Sequence, residues 1–138
     1  MDELYDLNFK KIPNKGIQKI HLVDEFIASD IKYPTLFEAE DVNKKKALVD
    51  KNLNLLTPFK YEFINPFYGV NNYFMAGIRT ADGSSYWYGI VDDKGKEVTP
   101  FIFCHMSEEF DKNGKLKFCL KDKSQAMDFA SFIKTYKK

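Results

Sequence analysis

Cys104 stands beside His105, and a thiol next to an imidazole is the raw material of nucleophilic catalysis. Successive side chains of a β-strand project to opposite faces, so in a strand this adjacency parts the two groups. A working pair would have to join His21 to Cys104 or Cys119, and no spacing rule connects them. The expectation is inert, buried cysteine and no catalytic residue. If Asn113-Gly114 closes a hairpin in which Lys112 faces Lys115, Cys104 and Cys119 fall close to cross-strand register. That leaves open a disulfide, or a metal site completed by His21 or His105. The tight Cys-x-x-Cys or paired-His spacing of zinc sites is missing, so no metal ligand is assigned.

Asp50 and Asp92 resemble a carboxylate pair, yet each follows a hydrophobic stretch and precedes a turn, where an Asp side chain caps turn backbone. Asp92-Asp93 with Asp82 and Asp111 lack the alternate ligand spacing and terminal Glu of a calcium loop. There is no Gly-rich phosphate loop, no HExxH and no glycine-flanked nucleophile turn. The chain therefore reads as a non-enzyme that needs no cofactor.

Charge narrows the partners. In 138 residues, 21 basic and 20 acidic side chains leave +1, which gives no overall pull toward nucleic acid or anionic lipid. Residues 1–42 hold nine acids against five lysines, so the first third is acidic and the remainder basic. Arg79 is the one arginine, and lysine is the poorer residue for bidentate reading of bases, so sequence-specific DNA binding is not expected. Lys44-Lys45-Lys46 and Lys134, Lys137 and Lys138 suit a solvated turn and a helix end. The N-terminus lacks a signal-peptide pattern, no apolar run is long enough for a membrane helix, and two cysteines make no disulfide framework. A cytoplasmic, soluble protein without membrane association is the expectation.

Rings are the compositional excess. Thirteen Phe, eight Tyr and one Trp make up 16% of the chain, a content that suits pleated surfaces, large cores and sticky interfaces.

The elements that carry these residues are organised by an internal repeat. Val49-Asp50 recurs as Val91-Asp92, and Thr57-Pro58-Phe59 as Thr99-Pro100-Phe101, each 42 residues on. Leu48 matches Ile90, Tyr61 matches Phe103 and Ile78 matches Leu120 in the same register. Asp93-Lys94-Gly95-Lys96 reads as a bulged hairpin loop with Gly95 at positive φ; Asn52 is its expected counterpart. Lys115, Lys117 and Lys121 alternate with Leu116, Phe118 and Leu120, the pattern of a half-buried strand. From Ser124 as N-cap, Ala126, Phe129, Ala130, Ile133 and Tyr136 share a helical face, which predicts a C-terminal helix over about residues 124–136. Residues 17–29 show helical spacing, although Lys19–Val23 reads equally as a strand. Thr35 and Glu38 resemble a capping box, but the repeat register sets this stretch opposite the strand 77–80 and so predicts a strand.

The segment Trp87-Tyr88-Gly89-Ile90-Val91-Asp92-Asp93-Lys94-Gly95-Lys96-Glu97-Val98-Thr99-Pro100-Phe101 resembles the WG (KWG) repeat, a bacterial β-rich repeat. Tyr88 stands where that family carries Trp, and the earlier copy, Lys46-Ala47-Leu48-Val49-Asp50 to Thr57-Pro58-Phe59, has lost both Trp and Gly. The resemblance covers two degenerate units, about 45–81 and 87–123, with a half unit at 33–44. It implies a stack of small antiparallel sheets that serves as a binding module, and it supplies no catalytic residues.

The resulting expectation is one domain spanning residues 1–138, of the α+β class but mainly β. An acidic segment (1–44) would precede antiparallel hairpins from two WG-like units (45–123) and a C-terminal helix (124–138), with a less defined N-terminal helix. Its function would be to bind another protein, as a stoichiometric inhibitor such as an immunity protein, an antitoxin-like protein or a phage-encoded inhibitor of a bacterial defence system. Phe67, Tyr68, Tyr73 and Trp87 are the expected partner-binding rings: Phe67, Tyr73 and Trp87 have no aromatic counterpart in the other copy, and Tyr68 lies with Phe67 and Tyr73 in the turn-rich stretch 65–73. The rival readings are a nucleic-acid or nucleotide binder using aromatic loops and lysines, and a hydrolase with an unrecognised site.

Overall fold

The computed structural model describes residues 17–22, 36–67 and 70–138. Strands β1 (Lys19–Leu22), β2 (Leu36–Glu40) and β3 (Lys46–Asp50) form a three-stranded antiparallel sheet in that order. A six-stranded antiparallel meander follows: β4 (Phe63–Phe67), β5 (Val70–Arg79), β6 (Tyr86–Asp92), β7 (Phe103–Phe110), β8 (Lys115–Leu120) and β9 (Lys123–Asp128). Helix α1 (Phe129–Tyr136) is the one helix among the described residues, so the fold is mainly β with a C-terminal helix, as expected.

The hairpins are written in a recurrent turn. Asp92 Oδ1 accepts the backbone N–H of Lys94 and of Lys96, both at 2.9 Å, while the Gly95 N–H donates to the Asp92 carbonyl at 3.0 Å and Gly95 takes φ 85°. Asp50 makes the same two bonds to Asn52 and Asn54, with Leu53 at φ 60°. The left-handed residue of the first copy is thus Leu53, not Asn52, because it stands in register with Gly95. Asp111 repeats the device with Gly114, and Asp41 repeats it with Lys44 at φ 64°. In the Asp111 turn the facing pair is Asp111 and Lys115, one step wider than Lys112 with Lys115.

One expectation about a helix is corrected and one open choice is resolved. Ser124 is not an N-cap: Lys121 and Asp122 both take positive φ, reverse the chain directly after Leu120, and set β9 beside β8 with Leu116 opposite Met127. The helix therefore starts at Phe129. At the other end Lys19–Leu22 is a strand, with Ile20 opposite Ala39, rather than helix; residues 23–35 lie outside the described residues. Leu36–Glu40 is the strand that the repeat register predicts.

The duplication is visible in the packing. Leu48, Tyr61, Ile64, Phe74, Ala76 and Val91 form one buried cluster between the two sheets. Moved on by 42 residues they become Ile90, Phe103, Met106, Leu116, Phe118 and Ile133, all of which lie in or against a second cluster. Buried polar groups repeat too. Thr57 Oγ1 accepts the Leu48 N–H at 3.0 Å, and Thr99 Oγ1 accepts the Ile90 N–H at 3.1 Å. A buried N–H left without such a partner costs about 1–3 kcal/mol, which accounts for threonine at both sites.

β6 and β7 share a single ladder position, Tyr88 with Phe103, and there the meander folds over on itself. β4–β6 make one layer and β7–β9 the other, with the second cluster between them. Helix α1 enters this interior through Phe132, which stands 42 residues after Ile90, so the helix occupies the place of a third copy's strand.

A carboxylate ties the copies together. Glu97 accepts a hydrogen bond from the Tyr61 hydroxyl (2.8 Å) and pairs with Lys60 (2.7 Å) and Lys138 (3.0 Å). Burial alone would raise its pKa, but hydrogen bonds from Lys60, Lys138 and Tyr61 outweigh that and hold it at about 2 rather than 4.5. The lowered value in the folded state means that this stabilisation is fully present above about pH 4.5 and is lost as pH falls toward about 2. Glu97→Gln is expected to be less stable than wild type at neutral pH and equal to it near pH 2, as read by urea unfolding at stepped pH; parallel curves would refute this role.

Candidate interaction surface

The four expected rings separate. Trp87 is 40% exposed, near the start of β6. Phe67 is not a surface ring but fully buried, 5.3 Å from the Phe129 ring and 6.1 Å from Phe110. Asn65-Pro66-Phe67 has turn composition, yet it belongs to β4, and a register shift at Pro66/Phe67 accommodates the proline while α1 covers the phenylalanine. Tyr73 is half-buried against Phe129, 5.4 Å between rings. Tyr68 lies outside the described residues.

Around Trp87 the meander presents an apolar row. Trp87 sits opposite Ile78 on β5, one residue before the single β6–β7 pairing of Tyr88 with Phe103, which Cys104 follows on β7. Cys104 is bonded as a disulfide to Cys119 on β8, with Cα atoms 5.2 Å apart, and Cys119 faces Ser124 on β9. Ile102, 44% exposed, stands two residues before Cys104, just ahead of β7. The ring of Phe101 lies against Gly89, where a Cβ would overlap it, and packs at 5.7 Å on Tyr61. Lys115 and Lys117, both exposed, share the face with Cys119.

The first copy shows why the patch belongs to the second. Trp87, Ile102 and Cys104 correspond to Lys45, Lys60 and Glu62. Lys45 forms an ion pair with Glu62, and Arg79 joins it at 3.3 Å. Hydrogen bonds from Lys45 and then Arg79 hold the Glu62 carboxyl below its usual range. One copy therefore carries a solvated charge cluster where the other carries tryptophan, isoleucine and a cystine. Ile102 and Cys104 were not among the expected contact residues, although this exchange of charge for apolar surface is legible in the repeat register.

The sites weighed for chemistry resolve into structure. In the cystine neither sulfur is a thiolate, and a bulge places both Cys104 and His105 opposite Cys119 while the His105 ring lies 5.5 Å from Tyr88. Disulfides are rare in the reducing cytosol, so this bond weighs against the cytoplasmic location expected from the sequence. Asp50 and Asp92 cap their turns. Lys46 pairs with Glu40 and Lys138 with Glu97, which with Lys45 on Glu62 gives three of the clustered lysines acidic partners. Among the described residues no group of three His, Cys, Asp or Glu could hold a metal ion, and no helix is long and apolar enough to cross a membrane. No family model, no curated protein and no solved structure matches the chain.

Proposed function

We propose that the chain is a non-enzymatic protein that acts by binding another protein, as a stoichiometric inhibitor of the immunity-protein, antitoxin-like or phage anti-defence kind. The observation that carries this reading is the pair of exposed apolar side chains Trp87 and Ile102, with the Cys104–Cys119 cystine next along β7, at positions where the sister copy is charged. Large apolar groups grouped on a rigid surface are the usual anchors of protein interfaces, tryptophan foremost. Descent from WG-type repeats belongs to the same proposal, supported by the recurrence of core, turn and threonine bonds at 42 residues.

The test is affinity capture from cells of the source organism, followed by reconstitution of a one-to-one complex from the two purified proteins. Failure of every captured protein to rebind when purified overturns the reading. A nucleic-acid reading draws on Lys115 and Lys117 beside the row; it predicts binding of single-stranded oligonucleotides that weakens steeply with salt, whereas an apolar protein interface holds.

A further inference from the structure

Between the two layers of the folded meander lies an open-mouthed cleft of about 430 Å³. One wall is aromatic. The Phe63 ring lies across Gly77, where a Cβ would overlap it, 5.3 Å from Tyr88, and Tyr88 is 5.5 Å from His105. Buried Met75 and Met106 close the floor. The other wall is acidic: β7 brings Glu108 and Glu109 to the cleft, and Asn65 Nδ2 donates to Glu108 Oε1 at 3.0 Å, which fixes that carboxylate in place. Among the described residues neither glutamate has an ion-pair partner, and no lysine or arginine lines the cleft. The charge of Glu108 also reaches Tyr88, whose hydroxyl pKa is raised by burial and then by Tyr86 and Glu108.

We infer that this cleft receives an arginine guanidinium presented by the partner protein, an inference that rests on the protein-binding reading above and names the chemistry of its partner. Aromatic rings attract a cation at their faces, methionine sulfur is polarisable, and a held carboxylate offers two acceptors. A guanidinium uses all three, because it is planar, weakly hydrated and donates in a fork; a lysine ammonium is compact and strongly hydrated. The Asn65 bond leaves Glu108 Oε2 as the acceptor that turns to the ligand.

The experiment titrates the full chain with N-acetyl-arginine amide, N-acetyl-lysine amide and N-acetyl-citrulline amide, followed by NMR of the Tyr88 and His105 ring protons. Citrulline keeps the shape of arginine without the charge. The expected result is saturable shifts with arginine amide, weaker ones with lysine amide and none with citrulline amide. Glu108→Gln, which keeps an oxygen for Asn65, should weaken arginine binding about tenfold with the melting temperature unchanged. Tyr88→Leu should weaken it as well. Absence of saturation with arginine amide, or equal response to citrulline amide, overturns the assignment. The two proposals fail separately. A partner whose affinity ignores both Glu108→Gln and Tyr88→Leu removes the cleft and spares the protein-binding reading. Specific arginine-amide binding without any reconstituted partner does the reverse.

Discussion

Phe103→Ala is expected to lower the unfolding free energy by about 3–5 kcal/mol, the range for deleting a fully buried phenylalanine. The ring is the hub of the interior. It lies 5.7 Å from Phe118, 5.1 Å from Phe132 and 5.1 Å from Tyr136, so one truncation loosens both layers and the helix together. Its backbone carries the one ladder position between β6 and β7, the hinge about which the meander folds. A small domain holds about 5–15 kcal/mol in all, so this variant stands at the edge of folding. Urea unfolding followed by tyrosine and tryptophan fluorescence measures it. A loss below about 1 kcal/mol would show that the two layers do not share the core described here.

The second large effect is the cystine. Breaking the Cys104–Cys119 bond, by reduction or by Cys104→Ser with Cys119→Ser, is expected to cost about 3 kcal/mol, because the bond closes a loop with a sequence separation of 15. The cost falls mainly on the unfolded chain, which regains freedom, so the reduced folded protein should keep its far-ultraviolet circular dichroism. The β7–β8 ladder and the Asp111 turn hold the same strands together without the bond. Equal urea midpoints for oxidised and reduced protein would contradict the assignment, as would free thiols in protein purified and unfolded without reductant.

How much of this was legible in the sequence follows from the range of the interactions concerned. Turns governed by one side chain and its next few amides were readable: Asp50 and Asp92 cap as expected, and the repeat register carried Leu36–Glu40 to a strand against a local capping signal. Ser124 misled, since the helix start there was overruled by a two-residue reversal at Lys121-Asp122, neither of which advertises positive φ as Asn-Gly does. Phe67 misled for a tertiary reason: whether a ring beside a proline is covered depends on where α1 lands, and Phe129 packs against it. The apolar row was half legible: Trp87 stood out alone, whereas Ile102 and Cys104 required comparison with Lys60 and Glu62 of the sister copy.

The central claim is that this chain works through an apolar contact made at the Trp87 face. The most direct measurement is the affinity of Trp87→Ala for the purified partner, by titration calorimetry beside wild type at low and at raised salt. Trp87 is exposed, so its removal leaves the core intact, and the loss at a hot-spot tryptophan is about 2–4 kcal/mol, or roughly 30-fold to 1,000-fold in Kd. A loss of that size at both salt concentrations, with an unchanged melting temperature, is the predicted result. Equal affinities for Trp87→Ala and wild type would contradict it.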